Sequence, residues 1–175
     1  MGSNEIHDQE KMTKFLELGM ENGEICDGTL TSEPSKMREI WKIREDTPIA
    51  LMKDGYLFSY DISVPLRRFY EIVPILEKRL GKQAYRVCGF GHLGDSNLHL
   101  NVTAREYSSE LCKAIEPFAY EYTSSLKGSV SAEHGIGFLK TKYLKFSKSQ
   151  NSINMMKEIK HLMDPNGILN PYKVL

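Results

Sequence analysis

The sequence has no excess of charge, no long apolar run and only three cysteines, and each shortage excludes a class of protein. Its 23 basic and 23 acidic side chains cancel, so it lacks the basic surface of a protein that binds nucleic acid or an anionic membrane. No apolar run approaches the roughly 20 residues of a membrane-spanning helix. The three cysteines lie far apart, which excludes both a disulfide framework and a Cys-x-x-Cys metal site.

The start of the sequence is also poor in signals. Residues 1–6 are largely polar and lack the apolar stretch of a secretory signal peptide, so we expect no targeting signal within this chain. The cysteine pattern favours a reducing compartment. A length of 175 residues suffices for one domain with a hydrophobic core, and 41% apolar side chains are ordinary for a globular protein.

Periodic apolar residues predict a mixed fold of helices and strands. Two helices are expected first, one from Asp8 to about Met20 and one that starts at Ser32 and is ended or kinked by Pro48. The next six elements follow as strand, helix, strand, strand, helix and strand, over residues 56–63, 65–80, 84–90, 97–103, 108–126 and 128–132. A last helix is expected over residues 149–163, followed by a turn.

This order of elements is typical of a ferredoxin-like βαββαβ fold. We therefore predict an α+β fold with an antiparallel sheet, both helices on one face, and flanking amino- and carboxy-terminal helices. The third strand, residues 97–103, would be central, with its leucines against the helices. Asn97, His99 and Asn101 would then lie on the open face, which we expect a partner domain or a cleft to cover.

The stretch from Gly89 to Thr103 holds the densest ligand chemistry in the chain. It begins with a glycine-rich turn around His92 and continues as a strand in which polar and apolar residues alternate strictly. His92, His99 and Glu133 form a candidate metal-ligand set, because two imidazoles and one carboxylate leave a coordination position open. The spacing alone also fits a solvated turn histidine and an ordinary strand histidine.

A second candidate group is the pair Glu133 and His134, which follows the predicted fourth strand. Neighbouring side chains on an extended backbone point apart, so we expect different roles, Glu133 as a ligand and His134 as a base or substrate contact. The pair also fits a capped loop ahead of a helix near Gly137. In the second predicted helix, Met37, Ile40 and Trp41 form a stripe that we expect to be buried. The stripe continues to Arg44, which either reaches to water or grips a carboxylate.

Three ordered motifs resemble the carboxy-terminal part of FAD-linked 2-hydroxyacid dehydrogenases. They are GFGHLGDSNLHLN at residues 89–101, GSVSAEHGIG at residues 128–137 and DPNGILNPYK at residues 164–173. The likeness runs over nearly the whole chain and is strongest to the D-2-hydroxyglutarate dehydrogenase branch, with D-lactate dehydrogenases nearby. The resemblance implies that His92, His99 and Glu133 hold a divalent ion, zinc or manganese, and that His134 takes a proton from the substrate.

The resemblance also implies the remaining parts of an enzyme. The substrate would be a small 2-hydroxyacid contacted by Arg44 and Asn101, and Asn170 would lie near the flavin of FAD. We find neither a glycine-rich pyrophosphate segment nor a flavin-attachment histidine motif, so the FAD-binding domain would lie outside this chain. Residues 1–175 would then be the substrate- and metal-binding part of a mitochondrial matrix enzyme, inactive alone, whose electron acceptor is left open.

Two positions depart from the D-2-hydroxyglutarate branch. Ser59 stands where that branch usually has a lysine, and a threonine expected near Pro48 is absent, although Thr47 is one residue away. A shorter or different D-2-hydroxyacid therefore stays open. Two other classes also stay open: a non-catalytic interaction module, since some family members carry an actin-interacting label, and a metallohydrolase, which the lack of a His-Glu-x-x-His helix disfavours.

Overall fold

The computed structural model describes residues 4–175, so the first three residues of the polar start lie outside it. The chain divides into two compact units, Met1–Pro48 and Ile49–Leu175. The described part contains, in order, α1 Glu5–Glu21, α2 Pro34–Met52, β1 Tyr56–Ser63, α3 Ile72–Leu80, β2 Arg86–His92, β3 Asn97–Ala104, α4 Ser109–Ser125 and α5 Gln150–Met163, with short 3-10 helices at Leu66–Arg68, Gly81–Gln83 and Thr141–Phe146. Between residues 4 and 175, no helix combines the length and hydropathy needed to cross a bilayer.

Helix α1 of the first unit starts earlier than predicted, because Asn4 rather than Asp8 caps it. The Asn4 side chain accepts a hydrogen bond from the backbone amide of His7 at 2.9 Å. Later in the helix, Gly19 is buried against Ile25, whose Cδ1 lies 2.4 Å from the place a Cβ at Gly19 would take. A side chain larger than hydrogen therefore does not fit at Gly19 without moving Ile25.

Helix α2 continues through Pro48 to Met52, so this proline does not end the helix. The hydroxyl of Thr47 donates to the carbonyl of Ile43 at 2.9 Å, which adds a hydrogen bond in the turn where proline lacks a donor. The predicted buried stripe of this helix is wrong, since Trp41 is 61% exposed and its apolar neighbours Met37, Ile40 and Ile43 are exposed as well. A unit this small has too little chain to enclose a core of its own.

The second unit is built on a three-stranded antiparallel sheet in the order β1–β3–β2. The prediction that β3 is central is confirmed, and all eight of its residues are buried. The predicted fourth strand is wrong, because residues 128–132 make a single bridge, between Ser63 and Ser129. A Cβ at Gly128 would meet the Ser63 carbonyl oxygen at 2.1 Å, and the Ser129 hydroxyl donates to the Ser131 carbonyl, which favours a bend over a strand. The fold is therefore α+β, and the complete ferredoxin-like arrangement is not confirmed.

The hydrophobic core lies between the apolar face of the sheet and two helices. Helix α3 packs against β2, α4 packs against β1, and the two helices contact each other. Helix α3 starts at Ile72 and not near residue 65, which places Pro74 in its first turn, where a missing donor costs nothing. The buried side chains of β1, β3, α3 and α4 in this core are Phe58, Tyr60, Ile62, Leu98, Leu100, Val102, Ile72, Val73, Leu76, Leu80, Leu111, Ile115, Ala119 and Tyr120.

The carboxy-terminal turn after α5 is held by the side chain of Asp164. The predicted turn is confirmed, since the Gly167 amide donates to the Asp164 carbonyl at 3.0 Å. The carboxylate of Asp164 accepts hydrogen bonds from the amides of Ile168 and Leu169 and pairs with Lys160. These contacts fix the backbone immediately before Asn170.

We expect Leu100→Ala to lower the free energy of unfolding by about 2–5 kcal/mol, because it opens a cavity in a close-packed core. Leu100 is fully buried at the centre of β3. Urea unfolding followed by circular dichroism measures the change. The matched control Leu162→Ala removes the same atoms from a side chain that is 80% exposed, and it should change stability by less than about 0.5 kcal/mol. Equal losses in the two variants would contradict this account of the core.

Candidate metal centre

The polar face of the sheet carries the side chains of the candidate site. Residues directly opposite each other in antiparallel strands place their side chains on the same face. The register pairs His99 of β3 with Asp61 of β1, and it pairs Asn97 with His92 of β2. His99 is 8% exposed and Asp61 is 1% exposed. The centre of this face is therefore buried within the chain, and not open as predicted.

The segment after α4 brings Glu133 and His134 onto this face. The carboxylate Oδ2 of Asp61 accepts hydrogen bonds from the amide of Glu133 at 3.0 Å and from the amide of His134 at 2.7 Å. Two consecutive amides cannot point at one oxygen from an extended backbone, and the chain is bent over residues 132–134. The prediction that the Glu133 and His134 side chains point apart is therefore wrong.

Three imidazoles surround one carboxylate oxygen. Oε1 of Glu133 lies 3.2 Å from Nε2 of His99, 3.6 Å from Nε2 of His134 and 3.8 Å from Nε2 of His92. The His99 ring stacks on the His134 ring, with centroids 5.3 Å apart, and meets the His92 ring edge-on with centroids 5.4 Å apart. Nitrogen and oxygen donors from two distant stretches of the chain thus converge on a single point.

The site has a buried wall and an accessible side. The side chain of His99 is only 10% exposed, whereas the side chains of His92, Glu133 and His134 are about half exposed, at 48%, 48% and 57%. Burial lowers the pKa of His99 below its ordinary value, against the opposing influence of the Glu133 carboxylate. A neutral imidazole is the form that binds a metal.

Asp61 lies beneath this cluster as a buried carboxylate. Burial raises its pKa, but the hydrogen bonds from the amides of His134 and Glu133 lower it by more, so the pKa lies below its ordinary value. Among the described residues, Oδ1 of Asp61 has no hydrogen-bond partner, and neither has the buried side-chain amide of Asn97. Buried polar atoms almost always have a partner, so these atoms mark where a bound ion or ligand would complete the site.

The donor set fits a divalent cation. One group of four residues, Asp61, His99, Glu133 and His134, offers ligand atoms that all lie within 4.8 Å of one another. His92 is not in that group, but its Nε2 faces the same Glu133 oxygen. Imidazole nitrogens together with carboxylate oxygens suit zinc, and manganese accepts the same mixture. The structure thus brings the three predicted ligands together and adds Asp61 to them.

The other predicted residues lie in three different places. Asn101 is buried on the same face of β3, and its amide donates to the carbonyl of His99 at 2.9 Å. Asn170 is exposed, with a positive φ of 43°, in the segment after the Asp164 turn. Arg44 belongs to the part of α2 that lies in the first unit. The roles of these three residues stay predictions.

Asp61 is the residue of the site that the sequence patterns missed. Its signal was the alternation of β1, in which Phe58, Tyr60 and Ile62 are buried in the core and Ser59 and Asp61 fall on the other face. That alternation does not reveal which strand pairs with β1. Only the register of β1 against β3 brings Asp61 opposite His99.

Comparison with known proteins places this chain in a family. The profile of FAD linked oxidases, C-terminal domain, matches residues 1–174. D-2-hydroxyglutarate dehydrogenase, mitochondrial, of Bos taurus is 49% identical over 174 residues, which cover 99% of this chain and 32% of that protein. The protein of the same name from Arabidopsis thaliana is 47% identical, with 99% of this chain and 31% of that protein covered.

A relative with a different name extends the comparison. D-2-hydroxyglutarate–pyruvate transhydrogenase of Saccharomyces cerevisiae is 40% identical over 183 residues, which cover 99% of this chain and 37% of that protein. The chain spans about a third of the length of the curated relatives it matches. The resemblance predicted from the three motifs is confirmed. The chain belongs to the family of FAD linked oxidases, of which it is a C-terminal domain.

Proposed function

We propose that this chain is the substrate- and metal-binding part of an FAD-dependent D-2-hydroxyacid dehydrogenase, which oxidises D-2-hydroxyglutarate or D-lactate to the 2-oxoacid. The observation that carries the proposal is the convergence of three imidazoles on one oxygen of Glu133. The relatives support the substrate class, because their names specify dehydrogenation or transhydrogenation of D-2-hydroxyglutarate.

His92, His99 and Glu133 would hold the divalent ion, with Oδ1 of Asp61 near the same point. Such an ion, zinc or manganese, would polarise the 2-hydroxyl of a substrate and lower its pKa. The buried, neutral His99 supplies a fixed donor, while the half-exposed side chains of Glu133 and His92 leave the accessible side free for a substrate oxygen. The donor set therefore fits the chemistry that the reaction requires.

His134 is the proposed general base. Its Nε2 lies 3.6 Å from Oε1 of Glu133, and its side chain is 57% exposed, so the imidazole reaches both the cluster and a molecule on the accessible side. The imidazole would accept the proton of the 2-hydroxyl, and FAD would supply the acceptor for the hydride of C2, so that the two-electron oxidation of alcohol to ketone balances. The proton and the hydride would therefore go to different acceptors.

The other predicted parts complete the proposal. Arg44 would pair with the substrate carboxylate, Asn101 would contact the substrate, and Asn170 would lie near the flavin. An FAD-binding domain of the same full-length protein would be the partner of this chain, which would not turn over alone. The relatives from Bos taurus and Arabidopsis thaliana carry mitochondrial in their names, which supports a mitochondrial location, and we propose the matrix. The ferredoxin-like arrangement is proposed for the complete domain, with the bridge at Ser129 in place of its fourth strand.

The test is an electron-transfer assay on the chain joined to its FAD-binding domain and loaded with FAD and zinc or manganese. We expect reduction of an artificial dye acceptor with D-2-hydroxyglutarate or D-lactate, little reduction with the L-isomers, and loss of activity on chelation. Reduction of the dye without any 2-hydroxyacid would overturn the proposal. So would full activity in a protein from which all divalent metal has been removed.

A non-catalytic interaction module is the second candidate. The observation in its favour is the exposed apolar surface of α1 and α2, which includes Phe15, Trp41 and Ile43. Isothermal titration with zinc and manganese separates the two candidates. Micromolar metal binding that His99→Ala abolishes favours the enzyme, whereas a folded chain without metal binding favours the module.

The side chain at position 59 should influence which hydroxyacid is used. Ser59 is exposed on β1 and stands directly opposite Asn101 on the polar face of the sheet. A cation there would attract the distal carboxylate of a dicarboxylic substrate, and a charged hydrogen bond contributes about 1.5–3 kcal/mol. We expect Ser59→Lys to raise kcat/KM for D-2-hydroxyglutarate relative to D-lactate by about tenfold or more.

The matched variant Ser59→Met provides the control for this specificity change. Methionine has a similar length but no charge, so it should leave the ratio of the two kcat/KM values nearly unchanged. An equal gain with methionine would mean that size, and not charge, determines the effect at position 59. Steady-state kinetics with both acids measures the ratio.

A further inference from the structure

We propose, on the basis of the function proposed above, that Asp61 is a positioning residue that holds Glu133 and His134 against the polar face of the sheet. Asp61 lies outside the three motifs, and the proposed reaction assigns it no proton or hydride transfer. It is nevertheless the most deeply buried member of the donor group, at 1% exposure. Its contacts explain how a bent segment presents two functional side chains to one point.

Within residues 4–175, the hydrogen bonds found for the Asp61 carboxylate go to the segment that it positions. Oδ2 accepts hydrogen bonds from the Glu133 amide at 3.0 Å, the His134 amide at 2.7 Å and the Ser131 hydroxyl at 3.1 Å. Two successive amides that share one acceptor fix the orientations of both peptide planes. The directions of the two side chains follow, because each Cβ is set by its own backbone. Both side chains then extend to the same side, where Oε1 of Glu133 and Nε2 of His134 are 3.6 Å apart.

The anchor itself cannot move far. Asp61 lies within β1 and pairs with His99 in the adjacent central strand. Opposite residues in such a pair have Cβ atoms about 4.5–5.5 Å apart. The bent segment is thus tied to the immediate neighbour of the buried histidine, and the relative positions of Glu133, His134 and His99 are set across a single pair of strands.

The two amides are the stronger part of the anchor. The Ser131 hydroxyl has one proton and also lies 2.8 Å from the carbonyl of Gly135, so its bond to Asp61 is shared. Oδ1 of Asp61 has no hydrogen-bond partner among the described residues and could instead act directly as a metal ligand. Substitution separates these roles, because asparagine keeps an acceptor oxygen for the two amides but loses the charge of a ligand.

The first measurement needs no metal. Amide hydrogen exchange of the full chain is compared between the natural sequence and Asp61→Ala. We expect the Glu133 and His134 amides to be protected in the natural sequence and to exchange at least about tenfold faster in the variant, because their acceptor is gone. The amides of β3 serve as the internal control and should keep their protection. Unchanged exchange of the Glu133 and His134 amides overturns the proposal.

The second measurement is titration of the same proteins with zinc and manganese. Asp61→Ala should weaken binding by about 10–100-fold, the usual loss when a group that orients ligands is removed. Asp61→Asn should recover most of the affinity, since its amide oxygen accepts both backbone bonds. Ser131→Ala is the matched control and should bind within about threefold of the natural sequence, because it leaves both amide bonds in place. Equal losses in Asp61→Asn and Asp61→Ala would overturn positioning in favour of direct ligation or charge.

The two measurements also separate this proposal from the proposed function. If the natural chain binds neither zinc nor manganese, the proposed function fails, while hydrogen exchange still decides whether Asp61 anchors the segment. Circular dichroism establishes that each variant is folded. If Asp61→Ala does not fold, Asp61→Asn is compared with the natural sequence, and faster exchange of the two amides together with weaker metal binding then overturns anchoring through the acceptor oxygen.

Discussion

Replacement of Glu133 by glutamine should weaken zinc and manganese binding by more than about 100-fold, a larger loss than removal of an orienting group causes. Oε1 of Glu133 lies within 3.8 Å of Nε2 on each of His92, His99 and His134. Glutamine keeps the shape of the side chain but removes the charge, and a neutral amide is a poor ligand for a cation that carboxylate and imidazole bind well. Isothermal titration of the full chain measures the dissociation constants.

The control for Glu133→Gln is Glu158→Gln in α5, which makes the same chemical change at an exposed carboxylate. This variant should bind both ions as the natural sequence does. Circular dichroism and thermal unfolding should be unchanged in both variants, because the side chain of Glu133 is about half exposed and Glu158 is exposed. Metal binding that survives in Glu133→Gln would remove the carboxylate from the ligand set and with it the proposed centre.

The second large effect concerns turnover and not binding. In the complete flavoprotein, His134→Gln should lower kcat by about 10²–10⁴-fold, the usual contribution of a positioned general base. Metal affinity should change by less than about tenfold, because His92, His99 and Glu133 keep their places. Single-turnover flavin reduction, followed by the loss of flavin absorbance, measures the chemical step directly.

The outcome also decides between two roles for His134. This residue belongs to the four donors whose ligand atoms lie within 4.8 Å of one another, so it is placed well enough to bind the ion itself. If His134→Gln loses metal affinity as completely as Glu133→Gln does, His134 is a ligand and the base must be sought elsewhere. His161→Gln, at an exposed position near the end of α5, is the control and should leave both kcat and affinity unchanged.

Local patterns in the sequence predicted the part of the site that lies on β3. Strict alternation placed Asn97, His99 and Asn101 on one face, and this holds because the period of a strand is set by its own backbone. The central position of β3 was also predicted correctly from the order of the elements. Their residue types alone made Glu133 and His134 candidates, with an ordinary capped loop as the alternative, and the resemblance to FAD-linked 2-hydroxyacid dehydrogenases favoured the functional interpretation.

The geometry between distant parts of the chain could not be predicted in the same way. The bend at Glu133 depends on a carboxylate 72 residues earlier in the sequence, and no local rule joins the two. The same limit explains why a fourth strand was predicted. Val130 and its neighbours favour a strand by residue type, but in the folded chain Gly128 lies against the backbone of Ser63 and only one bridge forms. Burial of Trp41 was predicted from a helical stripe, which does not reveal whether the unit holds enough chain to cover it.

His99 and Glu133 lie on backbone segments of very different stability. His99 stands in a strand whose eight residues are all buried, whereas Glu133 stands in an irregular segment whose backbone is joined to the sheet through few bonds. Excursions that lift the segment therefore cost much less free energy than excursions that break the sheet. The rates of cation binding and dissociation should therefore be set by the motion of this segment. We expect His99 to bind the cation first, and Glu133 to bind it last and release it first.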